Sequence, residues 1–167
     1  MRPPALAMRA LGITPPETVF KHLHKSGPFD IGLPAGRGQL KLMSWGNRVE
    51  NALFWRGWVG HEPDVMRRWA RLALEARTIL DVGANTGCFG FIAKALSPDA
   101  MVHAFEPVAR IANRHSENRQ VSGLDVELFQ QAVADEAGEL PIHDPGGAHA
   151  YSASLDRDFL PGDKESY

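Results

Sequence analysis

Between residues 63 and 133 the chain alternates segments of helical period with short apolar runs, whereas residues 1–62 are broken repeatedly by Pro and Gly. Pro63 to Ala76 predicts an amphipathic helix, with Val65, Trp69, Leu72, Ala73 and Ala76 at three- and four-residue spacing and Arg67, Arg68 and Arg71 on the solvated side. Thr78 to Val82 is too continuously apolar for a half-exposed strand and predicts one buried on both faces, running into Gly83-Ala84-Asn85-Thr86-Gly87. Cys88 to Leu96 predicts a helix that stops before Ser97-Pro98, and Met101 to Phe105 predicts a second strand ending in Glu106-Pro107. Pro107 suits the first position of another helix, running through Val108, Ile111, Ala112 and His115 to about Ser122, with Gly123 as its C-terminal cap. Val126 to Val133 predicts a third strand. Strand, helix, strand, helix, strand is the order of a parallel α/β sheet of Rossmann-like type with right-handed crossovers.

The flanks are less regular. Thr14-Pro15-Pro16-Glu17 has capping-box spacing and predicts a short helix to about Lys25, with Val19, Phe20 and Leu23 on one face. Ser26-Gly27-Pro28 ends it, and Gly38 to Ser44 predicts a strand with Leu40 and Leu42 on one side. Trp45, Trp55 and Trp58, with Phe54, read as packing of this appendage onto the core in preference to an acceptor-binding wall. Beyond the third strand, Asp135-Glu136-Ala137-Gly138 is a turn signal, and Glu139 to His143 predicts the returning arm of a hairpin, kept to an edge by Pro141. Asp144 to Tyr167, rich in Gly, Pro, Asp and Ser, predicts an irregular tail. The expected organisation is an N-terminal helix/strand appendage (1–62), a cofactor-binding half-domain (63–143) and that tail (144–167).

Composition narrows the classes. A chain of 167 residues with 44% hydrophobic and 23% charged positions is an ordinary globular domain. A formal net charge of −2 leaves no field to hold a polyanion, so nucleic acid is not an expected partner. No apolar run is long enough to span a membrane, and the N-terminus has no unbroken apolar signal core, so the expected location is the cytoplasm. Cys88 is the only cysteine, which excludes an intramolecular disulfide framework and a thiolate-rich zinc site; it reads as a small buried helix residue.

The candidate chemistry lies at the carboxyl ends of the predicted strands, where open parallel sheets bind ligands. Gly83 and Gly87 let the backbone turn tightly and approach a ligand, and Glu106, ending the second strand, is placed to accept hydrogen bonds from a ribose diol. A dinucleotide fingerprint would need glycine at 83, 85 and 88, but Asn85 and Cys88 stand at two of those positions, which disfavours NAD and FAD. A P-loop would close with Gly-Lys-Ser/Thr, but Cys88 and Phe89 follow Gly87. A sulfonium nucleoside with an amino-acid tail has no phosphate to cradle, and Asp81 and Asn85 suit the ends of that tail.

Taken in order, Asp81-Val82-Gly83-Ala84-Asn85-Thr86-Gly87, Phe105-Glu106-Pro107, Asn118 and Ala132-Val133-Ala134-Asp135 with Gly138 resemble the FkbM family of S-adenosylmethionine-dependent methyltransferases, from about Pro63 to Leu155. The resemblance implies a class I methyltransferase fold with Gly83, Ala84, Asn85, Thr86 and Gly87 around the methionine moiety and Glu106 on the ribose hydroxyls. Asp135 or its neighbours would stand near the adenine edge, or Asp135 simply begins the hairpin turn. Asn118 reads as a hydrogen bonder near the helix end. The implied activity is metal-free methyl transfer to the hydroxyl of a sugar or secondary metabolite. No base is identified, since His143 and His149 read more readily as surface residues.

Family members continue into a strand with a Lys-Ile-Asp-Val-Glu-Gly type motif and three more strands; this chain reaches Tyr167 without them. It therefore reads as an incomplete, truncated form of that fold. The edge of the strand around Leu80 would lack a partner, and a second copy or a complementing chain would complete the sheet. A noncatalytic nucleoside-binding or assembly module is the alternative function.

Overall fold

The computed structural model describes residues 3–139 and 141–144. The elements are α1 (Pro3–Ala10), α2 (Glu17–Phe20), β1 (Ser26–Gly32), β2 (Gln39–Trp45), α3 (Arg48–Arg56), α4 (Pro63–Glu75), β3 (Thr78–Val82), α5 (Cys88–Leu96), β4 (Met101–Phe105), α6 (Ala109–Ser122) and β5 (Glu127–Phe129). The fold is mixed α/β, with a Rossmann-like parallel sheet in the order β3-β4-β5 and a separate antiparallel hairpin, β1-β2.

The hairpin is the first departure from expectation. Ser26-Gly27-Pro28 begins a strand instead of ending a helix, and β1 pairs along its whole length with β2, from Ser26 opposite Trp45 to Gly32 opposite Gln39. Phe29, Ile31, Leu40 and Leu42 turn to one side and are buried. The short helix expected from Thr14 shrinks to four residues because α3 competes for its backbone. Asn51 Nδ2 donates to the Phe20 carbonyl (2.9 Å), and Trp55 Nε1 donates to that of Leu23 (3.2 Å). No capping box forms: the Thr14 hydroxyl donates to the Trp55 carbonyl at 3.1 Å, and Glu17 pairs with Arg56.

β3, α5 and β4 fall where the apolar runs and the glycine turn predict, and Gly123 (φ +67°) caps α6. Helix α6 starts after Pro107, not at it, because the Glu106 carboxylate accepts from the Val108 N–H (2.9 Å) and holds the chain in a turn. Helix α4 is rotated from the face its period suggests: Trp69, Ala73 and Ala76 meet the core as expected, but Val65 and Leu72 do not. Met66, Ala70 and Ala73 are buried while Val65 and Leu72 are exposed. The small alanines allow close approach to α5, and Trp69 locks that rotation by donating from Nε1 to the Phe89 carbonyl (2.9 Å) and packing edge-on against its ring (5.7 Å).

Strand β3 is half-exposed rather than doubly covered: Ile79 and Asp81 face α5, but Leu80 and Val82 are each 59% exposed. Among the described residues β3 pairs only with β4, so its outer edge is open. The third strand spans Glu127–Phe129 instead of 126–133. Its ladder closes when Glu106 N donates to the Phe129 carbonyl (3.0 Å), and Gln131 N turns back to the same oxygen (2.8 Å). The expected hairpin arm at 139–143 forms no strand of the sheet among its described residues. Leu140, His149 and the tail beyond Asp144 lie outside them. At the end of the described chain, Ile142 packs on Val108 and Ile111, and Asp144 takes a bidentate pair from Arg110 (2.6 and 2.5 Å).

One buried cluster runs from the hairpin (Ile31, Leu42) through α3 (Leu53, Phe54, Trp55) into α5 (Phe91, Ile92) and β4 (Ala104). Trp55 packs edge-on against Phe54 with ring centroids 5.1 Å apart, so this tryptophan belongs to the core. Among the described residues no helix is long and apolar enough to cross a membrane.

Candidate functional site

Strands β3 and β4 end side by side, Val82 opposite Phe105, so the glycine loop and Glu106 emerge together. The N–H groups of Gly83 and Ala84 both donate to the Phe105 carbonyl (2.9 and 3.0 Å), which folds the loop across the end of β4. Glu106, 6% exposed, accepts from the Asn85 N–H through Oε2 (3.0 Å) and from that of Val108 through Oε1 (2.9 Å). An ionised carboxylate offers about four acceptor positions, of which these two bonds use one on each oxygen.

The loop satisfies itself completely. Asn85 adopts φ +53°, a left-handed conformation asparagine tolerates, and its Oδ1 accepts from the Thr86 N–H (2.7 Å). Gly87 N donates to the Ala84 carbonyl at 2.8 Å. With the bonds from Gly83, Ala84 and Asn85, every amide from 83 to 87 is engaged inside the chain. A phosphate-binding loop instead presents several unpaired N–H groups to its ligand.

The two glycines face opposite surroundings. At Gly83 (φ +74°) a Cβ would meet no atom within 4 Å, which leaves open space against the backbone. At Gly87 (φ +89°) a Cβ would sit 2.5 Å from Phe91 Cε2 and 2.6 Å from His115 Cδ2. His115 is fully buried, its ring 4.9 Å from that of Phe91, and among the described residues neither ring nitrogen has a hydrogen-bond partner. Burial, with the nearby Arg119 charge, lowers its pKa to about 4, so it is a neutral packing residue behind the loop.

Asp81 caps the helix that follows the loop. Its Oδ2 accepts from the Gly90 N–H at 2.9 Å, in the first turn of α5, supplying the cap that Gly87 has no side chain to provide. Burial raises its pKa to about 6 against the pull of the Gly90 bond, and the Glu106 charge adds to the rise. Cys88 is buried and its thiol is pushed up by desolvation, which makes it inert as a nucleophile.

Seven of the predicted site residues, Asp81, Gly83, Ala84, Asn85, Thr86, Gly87 and Glu106, therefore converge. Asp135 is exposed in the loop after β5, and no hydrogen bond described ties it to the others. Sequence reasoning missed Glu50, on α3, whose Oε1 accepts from the Thr86 hydroxyl at 2.8 Å. Asn47 to Glu50 has capping-box spacing, a signal that could have marked this helix start. Asn118 holds the loop from the other side: its Nδ2 donates to the Thr86 carbonyl (2.7 Å), and its Oδ1 accepts from the Met43 N–H of β2 (2.6 Å).

Two clefts lie elsewhere. One of about 210 Å³, lined by Trp69, Leu72 and Leu80, sits at the β3 edge; another of about 390 Å³, beside Arg77 and Pro98, lies at the opposite ends of the strands.

No protein-family model matches the chain, and no curated protein matches it. Among solved structures it is similar to the SAM-dependent methyltransferase from Agrobacterium tumefaciens, with 16% identity and a TM-score of 0.42 over 65% of this chain. The match spans 33% of that protein's length.

Proposed function

We propose that this chain carries the cofactor-binding part of an S-adenosylmethionine-dependent methyltransferase of the FkbM type, acting in the cytoplasm on a hydroxyl of a sugar or secondary metabolite. The observation that carries the reading is the bonding of Glu106 to a glycine loop whose amides are all occupied within the chain. Such a loop offers no free N–H to cradle a diphosphate, while the acid beside it can still accept from a ribose diol.

In this reading the open side of Gly83, with Ala84 and Asn85, receives the methionyl part, and Glu106 accepts from the ribose hydroxyls. Asp135 would reach the adenine edge, and Thr86 and Gly87 shape the loop from behind. Bound there, the sulfonium supplies an electrophilic methyl carbon. The chain's own work is to hold that carbon in line with an acceptor oxygen, and such positioning is worth roughly 7 to 11 kcal/mol in favourable reactions. The open edge of β3, with Leu80 and Val82 exposed beside it, favours completion of the sheet by a second copy or a complementing chain.

Calorimetric titration of the folded chain with S-adenosylmethionine, S-adenosylhomocysteine and NADH tests the reading. The first two bind and NADH does not, and Glu106→Ala weakens binding at least about tenfold, as expected for lost hydrogen bonds to a charged group. No binding to a folded sample, or an unaffected Glu106→Ala, refutes it. Binding without turnover on any hydroxyl acceptor, with the sheet completed, would favour a noncatalytic nucleoside-binding module.

A further inference from the structure

Glu50 is 2% exposed, on a helix of the N-terminal appendage, and its Oε1 accepts from both the Thr86 hydroxyl (2.8 Å) and Asn47 Nδ2 (3.3 Å). Its second oxygen has no hydrogen-bond partner among the described residues, and neither has Asn47 Oδ1 or Arg114 Nη1. The guanidinium of Arg114 lies 5.4 Å over the Trp45 ring and acts on Glu50 through its charge without forming an ion pair. Burial pushes the Glu50 carboxyl above its usual range. A half-satisfied buried carboxylate destabilises a fold relative to an apolar or amide side chain of similar size. Its contact, however, falls on a loop residue whose neighbours on both sides, Asn85 and Gly87, are left-handed.

We infer that Glu50 is a positioning residue for the glycine loop: through the Thr86 hydroxyl it fixes the conformation in which Asn85 reaches Glu106 and Gly83 faces open space. Asn118 holds the Thr86 backbone, and Glu50 holds its side chain. The appendage thus sets the shape of the loop. This deepens the nucleoside reading, but the positioning itself can be measured without any ligand.

The test is amide hydrogen exchange on the full chain, comparing Glu50→Ala, Glu50→Gln, Thr86→Val and the double variant Glu50→Ala/Thr86→Val. Glu50→Ala and Thr86→Val each speed exchange at Asn85 and Thr86 about tenfold or more while the β1–β2 amides keep wild-type rates, as expected for loss of a buried hydrogen bond. Glu50→Gln, which keeps the Oε1 acceptor, restores near-wild-type exchange, and the double variant is no faster than either single one. Unchanged loop exchange in Glu50→Ala, acceleration spread evenly over the protein, or a Glu50→Gln as fast as Glu50→Ala each overturns the inference. Titration with S-adenosylmethionine then separates the two claims. If wild type binds, Glu50→Ala weakens binding and Glu50→Gln does not. If wild type fails to bind but the exchange pattern holds, the nucleoside reading fails while Glu50 keeps its role.

Discussion

Two buried groups behind the loop titrate in opposing senses, and removing either should expose the other. His115 falls from an ordinary 6.5 to about 4 in the folded chain, whereas Asp81 rises from 3.8 to about 6. Between pH 6.5 and about 4 the unfolded chain takes up the His115 proton and the folded chain does not, so stability present above pH 6.5 is lost as the solution is acidified. Between about pH 6 and 3.8 the folded chain protonates Asp81 before the unfolded chain does, so acidification adds stability. At about 1.4 kcal/mol per pH unit, each effect amounts to about 3 kcal/mol, and they nearly cancel in the wild type. Glu50, also pushed up by burial, adds to the Asp81 side. Urea unfolding followed by tryptophan fluorescence at pH values between about 4 and 7 reads the balance. Asp81→Asn keeps an acceptor for Gly90 and should lose about 3 kcal/mol relative to wild type as pH falls through this range. His115→Leu should gain a similar amount. Variant curves running parallel to wild type at all pH values would refute the assignment of a neutral buried imidazole and a protonated buried carboxyl.

The glycine pair separates folding from binding. Gly83→Ala forces a side chain into the left-handed region at a cost of about 1 to 2 kcal/mol but meets no neighbour, so the chain folds and loses nucleoside affinity, read by melting and calorimetry together. Gly87→Ala adds to that strain a clash with Phe91 and His115, and should be destabilised by about 3 kcal/mol or more in urea unfolding. Asn118→Ala removes the link between β2 and the loop and leaves buried groups at Met43 and Thr86 unpaired, which predicts a loss of about 2 to 4 kcal/mol by the same assay.

The centre of the fold was legible because its signals are local. An apolar run, a glycine turn and a following helical period mark β3 and α5 within a few residues of one another, and a left-handed glycine ends α6. Glu106 could be placed at the loop because residues at corresponding ends of neighbouring parallel strands must meet. What failed were statements about which face meets what. The period of α4 suggested Val65 and Leu72 as core, but the Trp69 contact to Phe89 set the rotation. A continuous apolar stretch implied cover on both sides of β3, whereas Leu80 and Val82 lie open. The N-terminal helix was cut short by bonds from Asn51 and Trp55, residues some thirty positions further along.

The sequence by itself determined the strand–helix order, the loop at residues 83–87 and the acid beside it, since each rests on backbone preferences acting over a few residues. Only the tertiary structure decided that Glu50 and Asn118, distant in the chain, grip Thr86 from two sides, and that Asp81 serves α5. A buried polar group takes whichever partner folding brings within about 3 Å. That choice depends on the packing of whole elements, which no local pattern encodes.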